Sequence, residues 1–552
     1  MAPADDWVAR TAGEVRAVGG RRHPGEPPTC ASGISPSGPV HLGNLRELMV
    51  PHLVADEVRK QGAPCRHILS WDDYDRFRRV PGGFPPEFAE HIGRPLTSVP
   101  DPCGEHPNWA EHFKDPLRES LARLGVLVTE ISQTQMYTSG AYAAQIVTAM
   151  RRRAGIGAVL ARYQTKRPAE ASAADADDEE PGNAGEYYPF KPYCGSCGRD
   201  DTTVTGFDDE TTEITYTCGC GARVGPVPIA EVAGKLVWKV DWPMRWAYER
   251  VTFEPAGVDH SSPGSSFTVG GELVSEIFGG EMPLHFGYAF VGTSGGSSKM
   301  SGSAGRAPTP ADALEIFEAP LVRWLYARRR PEQSITLAFD QEVGRVYDEW
   351  DALSRKVADG TADAPARAVY GRAAGTAEGP LPVTPRPLPF RTLASVADIT
   401  AGDQAQILRI LRDLTTPDPV VSLDEVRPRL DCAQAWVTGY LDPADRTQVR
   451  PRPDTARLAA LSEEERGALK LLTERMGDDW SLDGLTARLY GIPKLMRGLP
   501  LDAPPTPELR AAQRAWFILL YQLLIGKDTG PRLPTLLLAL GQDRIRRLLT
   551  PG

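Results

Sequence analysis

The sequence predicts an α/β fold built on a doubly wound parallel sheet, interrupted by an insertion and followed by an all-helical region. Three observations carry this. A strand, a Gly-rich turn, a helix and a second strand follow one another in the first ninety residues. Four cysteines bunch between 194 and 220. Beyond about 305 the apolar residues fall into helical spacing.

The first strand-like run is Pro28-Thr29-Cys30-Ala31, which ends in Ser-Gly. A helix is expected from about Leu45 to Lys60, with Leu45, Leu48 and Met49 on one face, a kink at Pro51 and Gly62 after its end. Cys65 to Trp71 reads as a second strand running into Asp72, Asp73 and Asp75. In such folds ligands lie at the carboxyl ends of the strands. Residues from about 91 to 235 break the pattern. They hold a loop rich in Asp, Cys and His, a basic helix near Arg151, an acidic stretch from Glu170 to Glu186 without large apolar residues, and a Cys-rich hairpin. Strands are expected to resume with LVWKV from Leu236 and with PLHFGYAFVG from Pro283.

Further on, Ile407, Ile410, Leu411 and Leu414 form a helical stripe, and Ser462 to Glu465 is a capping box opening another helix. Residues 373–391, rich in Gly and Pro, read as a linker. The expected division is therefore a first half of the sheet domain at 1–90, the insertion at 91–235, the second half at 236–305, a connecting stem at 306–390 and a helical domain at 391–552. Strand, turn, helix and strand before the insertion, and resumed strands after it, read as a split Rossmann-type domain.

Composition narrows the function. At 552 residues, 41% hydrophobic and 24% charged, the chain is globular and long enough for three or four domains. A net charge of −10 excludes a uniformly basic nucleic-acid wrapper, so a nucleic-acid partner needs local basic clusters. Candidates are Arg151-Arg152-Arg153, Arg328-Arg329-Arg330 and Arg544 with Arg546 and Arg547, which read equally as solvated helix faces. Eight cysteines are too few for a disulfide scaffold and point to metal in a reducing compartment. The first residues show no signal peptide, and the apolar run from Trp516 to Ile525 falls far short of the about twenty residues a bilayer span needs. A soluble cytoplasmic protein without a membrane partner is expected.

Two motifs point to a nucleoside triphosphate. In Pro36-Ser37-Gly38-Pro39-Val40-His41-Leu42-Gly43-Asn44 a tight turn feeds a helix N-terminus, whose free N–H groups favour phosphate. The His41 ring is placed to donate to a phosphate oxygen, and Gly43 lets a nucleotide approach the backbone. In Ser298-Lys299-Met300-Ser301-Gly302-Ser303 a Lys within a Gly- and Ser-rich stretch can stabilise charge as pyrophosphate departs.

Metal is the third theme. Cys194-x-x-Cys197 and Cys218-x-Cys220 offer four thiolates at the ends of a hairpin, which suits a tetrahedral structural zinc. Asp101, Cys103, Glu105, His106 and His112 form a second candidate site, with either Cys103 or Glu105 completing it.

The pair P-x-G-x-x-H-x-G and K-M-S-x-S resembles the two signatures of class I aminoacyl-tRNA synthetases. Ala31-Ser32-Gly33-Ile34-Ser35-Pro36-Ser37-Gly38, Trp71-Asp72-Asp73-Tyr74-Asp75-Arg76 and Phe253-Glu254-Pro255-Ala256-Gly257-Val258-Asp259-His260 resemble the class I lysyl-tRNA synthetases. So do Tyr347-Asp348-Glu349-Trp350-Asp351, Pro389-Phe390-Arg391-Thr392-Leu393-Ala394-Ser395 and Gly530-Pro531-Arg532-Leu533, so the resemblance spans almost the whole chain. It implies ATP-dependent activation of L-lysine to lysyl-adenylate and transfer to the 3′ end of a tRNA, with ATP, Mg2+ and Zn2+ as the small partners.

By this resemblance His41, Asn44 and Lys299 are the catalytic residues. Gly38, Gly43, Gly257, Asp259, Met300 and Ser301 join them around ATP. Gly33, Ser35, Trp238 and His260 hold lysine by the same resemblance, and Asp72, at the end of the second strand, can bind an amino group. The neighbours Asp73 and Asp75 remain alternatives to Asp72, and each also reads as a capping Asp. The helical domain reads the anticodon, and a monomer is expected. Gly302 stands where the wider K-M-S-K-S pattern has a second Lys, so part of the charge on the leaving phosphates must be met by Lys299 alone or from elsewhere. Competing readings are a class I synthetase for glutamate or arginine, a duplicate serving a peptide-modifying pathway, and a non-catalytic tRNA-binding protein.

Overall fold

The computed structural model describes residues 6–164, 187–258, 261, 265–294, 307–476 and 479–550. Two compact units emerge. One comprises residues 1–314, 319–337 and 353–381, the other 315–318, 338–352 and 382–552.

The first unit is organised on a parallel sheet. After helix α1 (Trp7–Arg22), strand β1 (Thr29–Ile34) leads through the Gly-containing turn into α2 (Leu42–Lys60), which returns to β2 (Arg66–Trp71). Helix α3 (Trp109–Arg123) precedes β3 (Thr129–Ser132), which pairs in parallel with β2. Three helices follow, α4 (Gln133–Thr138), α5 (Ala143–Arg151) and α6 (Arg153–Gln164). Strands β4 (Phe190–Pro192), β5 (Thr202–Phe207), β6 (Glu213–Cys218), β7 (Arg223–Pro228) and β8 (Gly234–Leu236) form two small antiparallel sheets, β4–β8 and β5–β6–β7. Helix α7 (Trp238–Glu249) then leads into β9 (Val251–Phe253), which rejoins the first sheet on the other side of β1. The order β3-β2-β1-β9, all parallel, turns the chain one way after β1 and the other way to β9. A crevice opens at the carboxyl ends of strands where the order reverses.

The sheet exists because its strands are apolar on both faces. Cys30, Ala31, Ile34, Ile68, Leu69, Trp71, Val251 and Phe253 are all buried. Helix α2 covers one face with Leu45, Leu48, Met49, Leu53 and Val58. Arg46 of the same helix is buried, and its guanidinium donates to the carbonyls of Ala289, Arg330, Pro331 and Gln333. This ties α2 to the segments that follow the sheet.

The structure corrects several sequence expectations. Helix α2 begins at Leu42, three residues early, because His41 caps it with its own ring. Its end at Lys60, beyond Pro51, is as expected. The insertion does not start at 91, since β3 extends the sheet through Ser132. LVWKV is not a strand: only Leu236 belongs to β8, and the helix starts at Trp238. The spacing of Trp238, Trp242 and Trp246 is helical, and this signal outweighs the β-branched character of the run. Within 373–391, Gly375–Thr376 pairs with Gly379–Pro380 in a short antiparallel hairpin.

The second unit is helical from Phe390 to Leu549 among its described residues. The expected helix appears as Gln404–Leu414, capped by Asp403, and Ser462 with Glu465 forms the expected capping box. The apolar run read from Trp516 lies in the helix Pro507–Ile525 and is buried in a core with Leu472, Leu489 and Leu537. No helix among the described residues is long and apolar enough to cross a membrane.

Candidate functional site

A cavity of about 820 Å³ lies where the sheet order reverses, in the first unit. Gly33, Ser35, Gly38, His41, Asn44, Asp72, Trp238 and Gly257, eight residues singled out in the sequence, line it together. Asp259, His260, Lys299, Met300 and Ser301 lie outside the described residues.

The turn after β1 departs from expectation in an instructive way. His41 Nδ1 accepts from Gly43 N at 3.0 Å and Asn44 N at 3.3 Å, and Leu42 N donates to Pro308 O at 2.9 Å. The first amides of α2 are therefore satisfied within the protein rather than left free for phosphate. With Nδ1 acting as acceptor, the neutral ring carries its proton on Nε2, which leaves a donor on a residue that lines the cavity. Burial holds the His41 pKa below its ordinary value, so the ring is neutral near pH 7. Asn44 Oδ1 accepts from His41 N at 3.2 Å, which leaves the Asn44 NH2 group as a second donor. Gly43 does not line the cavity. A Cβ there would sit 2.8 Å from His41 Cε1, so its missing side chain makes room for the capping ring.

The floor of the cavity is acidic. Glu47, in the second turn of α2, is half-buried in the cavity lining and accepts from Gly33 N at 3.3 Å. No Lys or Arg pairs with it among the described residues. Burial, with Glu254 and Asp72 nearby, pushes its pKa up to about 8. Gly33 lies between two carboxylates: a Cβ there would be 3.9 Å from Glu47 Oε1 and 4.0 Å from Asp72 Oδ2. Glu254 accepts from the indole N–H of Trp242 at 2.9 Å and of Trp246 at 2.6 Å, and burial pushes its pKa up to about 7. Trp238 and Trp242 stack with ring centroids 5.1 Å apart and form a flat apolar wall.

The three aspartates after β2 separate cleanly. Asp73 accepts from Lys114 Nζ, Ser132 Oγ and Thr134 N and is structural. Asp75 pairs with Lys235. Asp72 faces the cavity and is held by Arg245 Nη1 at 2.6 Å, while Arg245 also binds Asp241. Burial raises the Asp72 pKa even so. Sequence reasoning missed Glu47, Glu254 and Arg245. Glu47 had a signal, because His41, Asn44 and Glu47 recur at a spacing of three and share one face of α2.

Both candidate metal sets assemble. Cys194, Cys197, Cys218 and Cys220 bring their sulfurs within 4.8 Å of one another, the first pair following β4 and the second in the turn from β6 to β7. Asp101, Cys103, His106 and His112 do the same, and Glu105 is not part of the set. Cys103 Sγ lies 3.4 Å from both His106 Nδ1 and His112 Nδ1, and His112 Nδ1 is 2.9 Å from Asp101 Oδ1. Four thiolates, or carboxylate, thiolate and two imidazoles, match the donor sets of tetrahedral zinc. Of the basic clusters, Arg153 is bound by Asp209 and Arg328 lies over the Trp324 ring at 4.0 Å.

Comparison with known proteins adds independent findings. The model of the family "tRNA synthetases class I (K)" matches residues 5–374. The chain is 57% identical to a "Lysine--tRNA ligase" of Streptomyces coelicolor, covering 99% of this chain and 98% of that one. It is 34% identical to a "Lysine--tRNA ligase" of Thermococcus kodakarensis, covering 94% of this chain and 95% of that one. A "Lysine--tRNA ligase" of Treponema pallidum is 33% identical, covering 95% of this chain and 94% of that one.

A primary ammonium seated against Glu47 requires the ionised carboxylate, and burial pushes the Glu47 pKa up to about 8. With L-lysine as probe, the dissociation constant should weaken by about tenfold per pH unit as pH falls below 8. Tryptophan fluorescence titration measures this through the indole wall. Glu47→Gln should bind more weakly and lose the pH slope, and a slope retained in that variant would remove Glu47 from the ligand.

Proposed function

Because this chain belongs to the class I tRNA synthetases of the K family, we propose that the cavity beside α2 is where lysine is activated. The activity is ATP-dependent ligation of lysine to tRNA, in an α/β protein with a parallel sheet and many helices. In the first step an oxygen of the lysine carboxylate attacks the α-phosphorus of ATP. The bond to the bridging oxygen breaks, lysyl-adenylate forms and pyrophosphate leaves. In the second step the acyl group passes to the terminal adenosine of the tRNA. Positioning and charge stabilisation drive the first step, with no nucleophilic side chain.

One observation carries the reading: a half-buried carboxylate without a cationic partner among the described residues, Glu47, shares a tryptophan-walled cavity with the capped start of α2. In our reading Glu47 and Asp72 receive ammonium groups of lysine, and Trp238 covers its apolar stem together with Trp242. Gly33 and Ser35 leave the space between them. His41 Nε2 and the Asn44 amide donate to the triphosphate, Gly257 lies under the adenosine, and Lys299 meets the leaving phosphates. Mg2+ carried by ATP neutralises phosphate charge. The acidic floor speaks against glutamate as the substrate, since its side-chain carboxylate brings no cation to Glu47.

The sheet with its intervening segment fits a split Rossmann-type domain, and we assign anticodon reading to the helical region beyond 390. Zinc would be held by Cys194, Cys197, Cys218 and Cys220, and a second by Asp101, Cys103, His106 and His112. It would fix loops rather than react. We place the protein in the cytoplasm with its tRNA.

Exchange of labelled pyrophosphate into ATP tests the function. L-lysine should support it at least about 100-fold better than L-arginine or L-glutamate. Equal or faster exchange with either of those would overturn the reading. Zinc is tested by metal analysis. Cys197→Ser should lose about one zinc per chain and make the 202–228 hairpin protease-sensitive. A purified wild-type chain without zinc would contradict the assignment.

A further inference from the structure

The cavity has a wall that the assignments above leave unused. The segment after β2 brings Arg76, Arg78 and Arg79 to its lining, and Arg78 and Arg79 are exposed. This segment is fastened to the phosphate-facing turn. Phe77, between the arginines, is buried against the Trp109 ring with centroids 4.8 Å apart. The Trp109 indole N–H donates to Ser37 O at 3.2 Å. Pro81 lies 3.6 Å from where a Cβ would stand at Gly38. The backbone at Phe77 is pinned as well, its N–H donating to Arg94 O at 2.7 Å and its carbonyl accepting from Gly93 N at 2.9 Å. One buried indole thus locks the arginine segment to the turn that leads into His41 and Asn44.

The charges along this wall differ in their commitments. Arg76 pairs with Asp200 at 3.3 Å. Arg79 makes no ion pair among the described residues. The sequence meanwhile shows a deficit, because the K-M-S-G-S stretch holds one Lys where the wider pattern holds two.

We propose that Arg79 is a catalytic residue that binds the β- and γ-phosphates of ATP, supplying charge that the single Lys of that stretch does not. This deepens the lysine-activation reading and rests on it. As the lysine oxygen bonds to the α-phosphorus, the bond from that phosphorus to the β-bridging oxygen breaks. Its electron pair leaves with pyrophosphate, and the added negative charge develops beside the guanidinium. No proton moves in this step. A guanidinium forks onto phosphate oxygens in two directions, which a lysine ammonium does not reproduce. RNA phosphate is the competing occupant, but Arg79 lines the same cavity as His41 and Asn44, and its neighbours Phe77 and Pro81 are fastened to the turn before them.

The test compares full-length wild type with Arg79→Ala and Arg79→Lys in lysine-dependent pyrophosphate exchange and in tRNA charging. Arg79→Ala should lower kcat/KM for ATP in exchange by about 30-fold and raise the KM for pyrophosphate by about tenfold. Arg79→Lys should recover part of both. Quenching of tryptophan fluorescence by lysine confirms that each variant is folded. Exchange within twofold of wild type overturns the proposal: charging lost alone would assign Arg79 to RNA, and neither lost would leave it a solvated side chain. If wild type itself shows no lysine-dependent exchange, the functional reading fails and the proposal falls with it.

Discussion

Glu47 sits half-buried where α2 passes the end of β1, and no lysine or arginine side chain of the described protein answers its charge. Removing an ionised carboxylate from water costs several kcal/mol unless a cation meets it. The fold tolerates Glu47 because it is largely protonated at neutral pH, which its raised pKa of about 8 expresses. An arriving ammonium changes that balance by drawing the proton off and pairing with the anion. In the proposed function a cationic ligand with an apolar stem completes this cleft, its stem along the stacked Trp238 and Trp242 rings. Arg245 is spoken for by Asp72 and Asp241, and both Glu254 oxygens by indole N–H groups, so the neighbouring charges hold their places and leave Glu47 to the ligand.

The second constraint lies at the start of the same helix. A helix N-terminus usually offers its own amides to an anion. Here the His41 ring consumes two of them and Pro308 takes a third. The positive end of the helix is relayed through the imidazole, with Nδ1 fixed as acceptor and Nε2 left as donor. Gly43 is small because that ring lies across it. The groups to which the proposed function assigns a triphosphate and a cationic amino acid are carried on one element: His41 at the cap, Asn44 one turn on and Glu47 in the next.

Much of this was legible in the sequence, and what was not has physical causes. The helix that opens after the Gly-containing turn, the convergence of the two Cys- and His-bearing clusters and the helical C-terminal region follow from residue type and spacing, which are local properties. The place of β3 in the sheet did not show, because register depends on partners far along the chain. LVWKV, from Leu236 to Val240, was read as a strand, although the period of four in Trp238, Trp242 and Trp246 belongs to a helix. The choice of Cys103 over Glu105 turned on how a loop folds back on His112, which spacing alone does not give. The roles of Asp72, Asp73 and Asp75 depended on Lys114, Ser132, Lys235 and Arg245, four residues from other elements.

A crystal structure of the chain with L-lysine and a non-hydrolysable ATP analogue tests the central claim most directly. The account predicts one ammonium of lysine within hydrogen-bonding distance of a Glu47 carboxylate oxygen and the stem along Trp238. It also predicts a triphosphate oxygen on His41 Nε2, all within the one cavity. Lysine bound away from Glu47, or a nucleotide whose phosphates avoid His41, would contradict it.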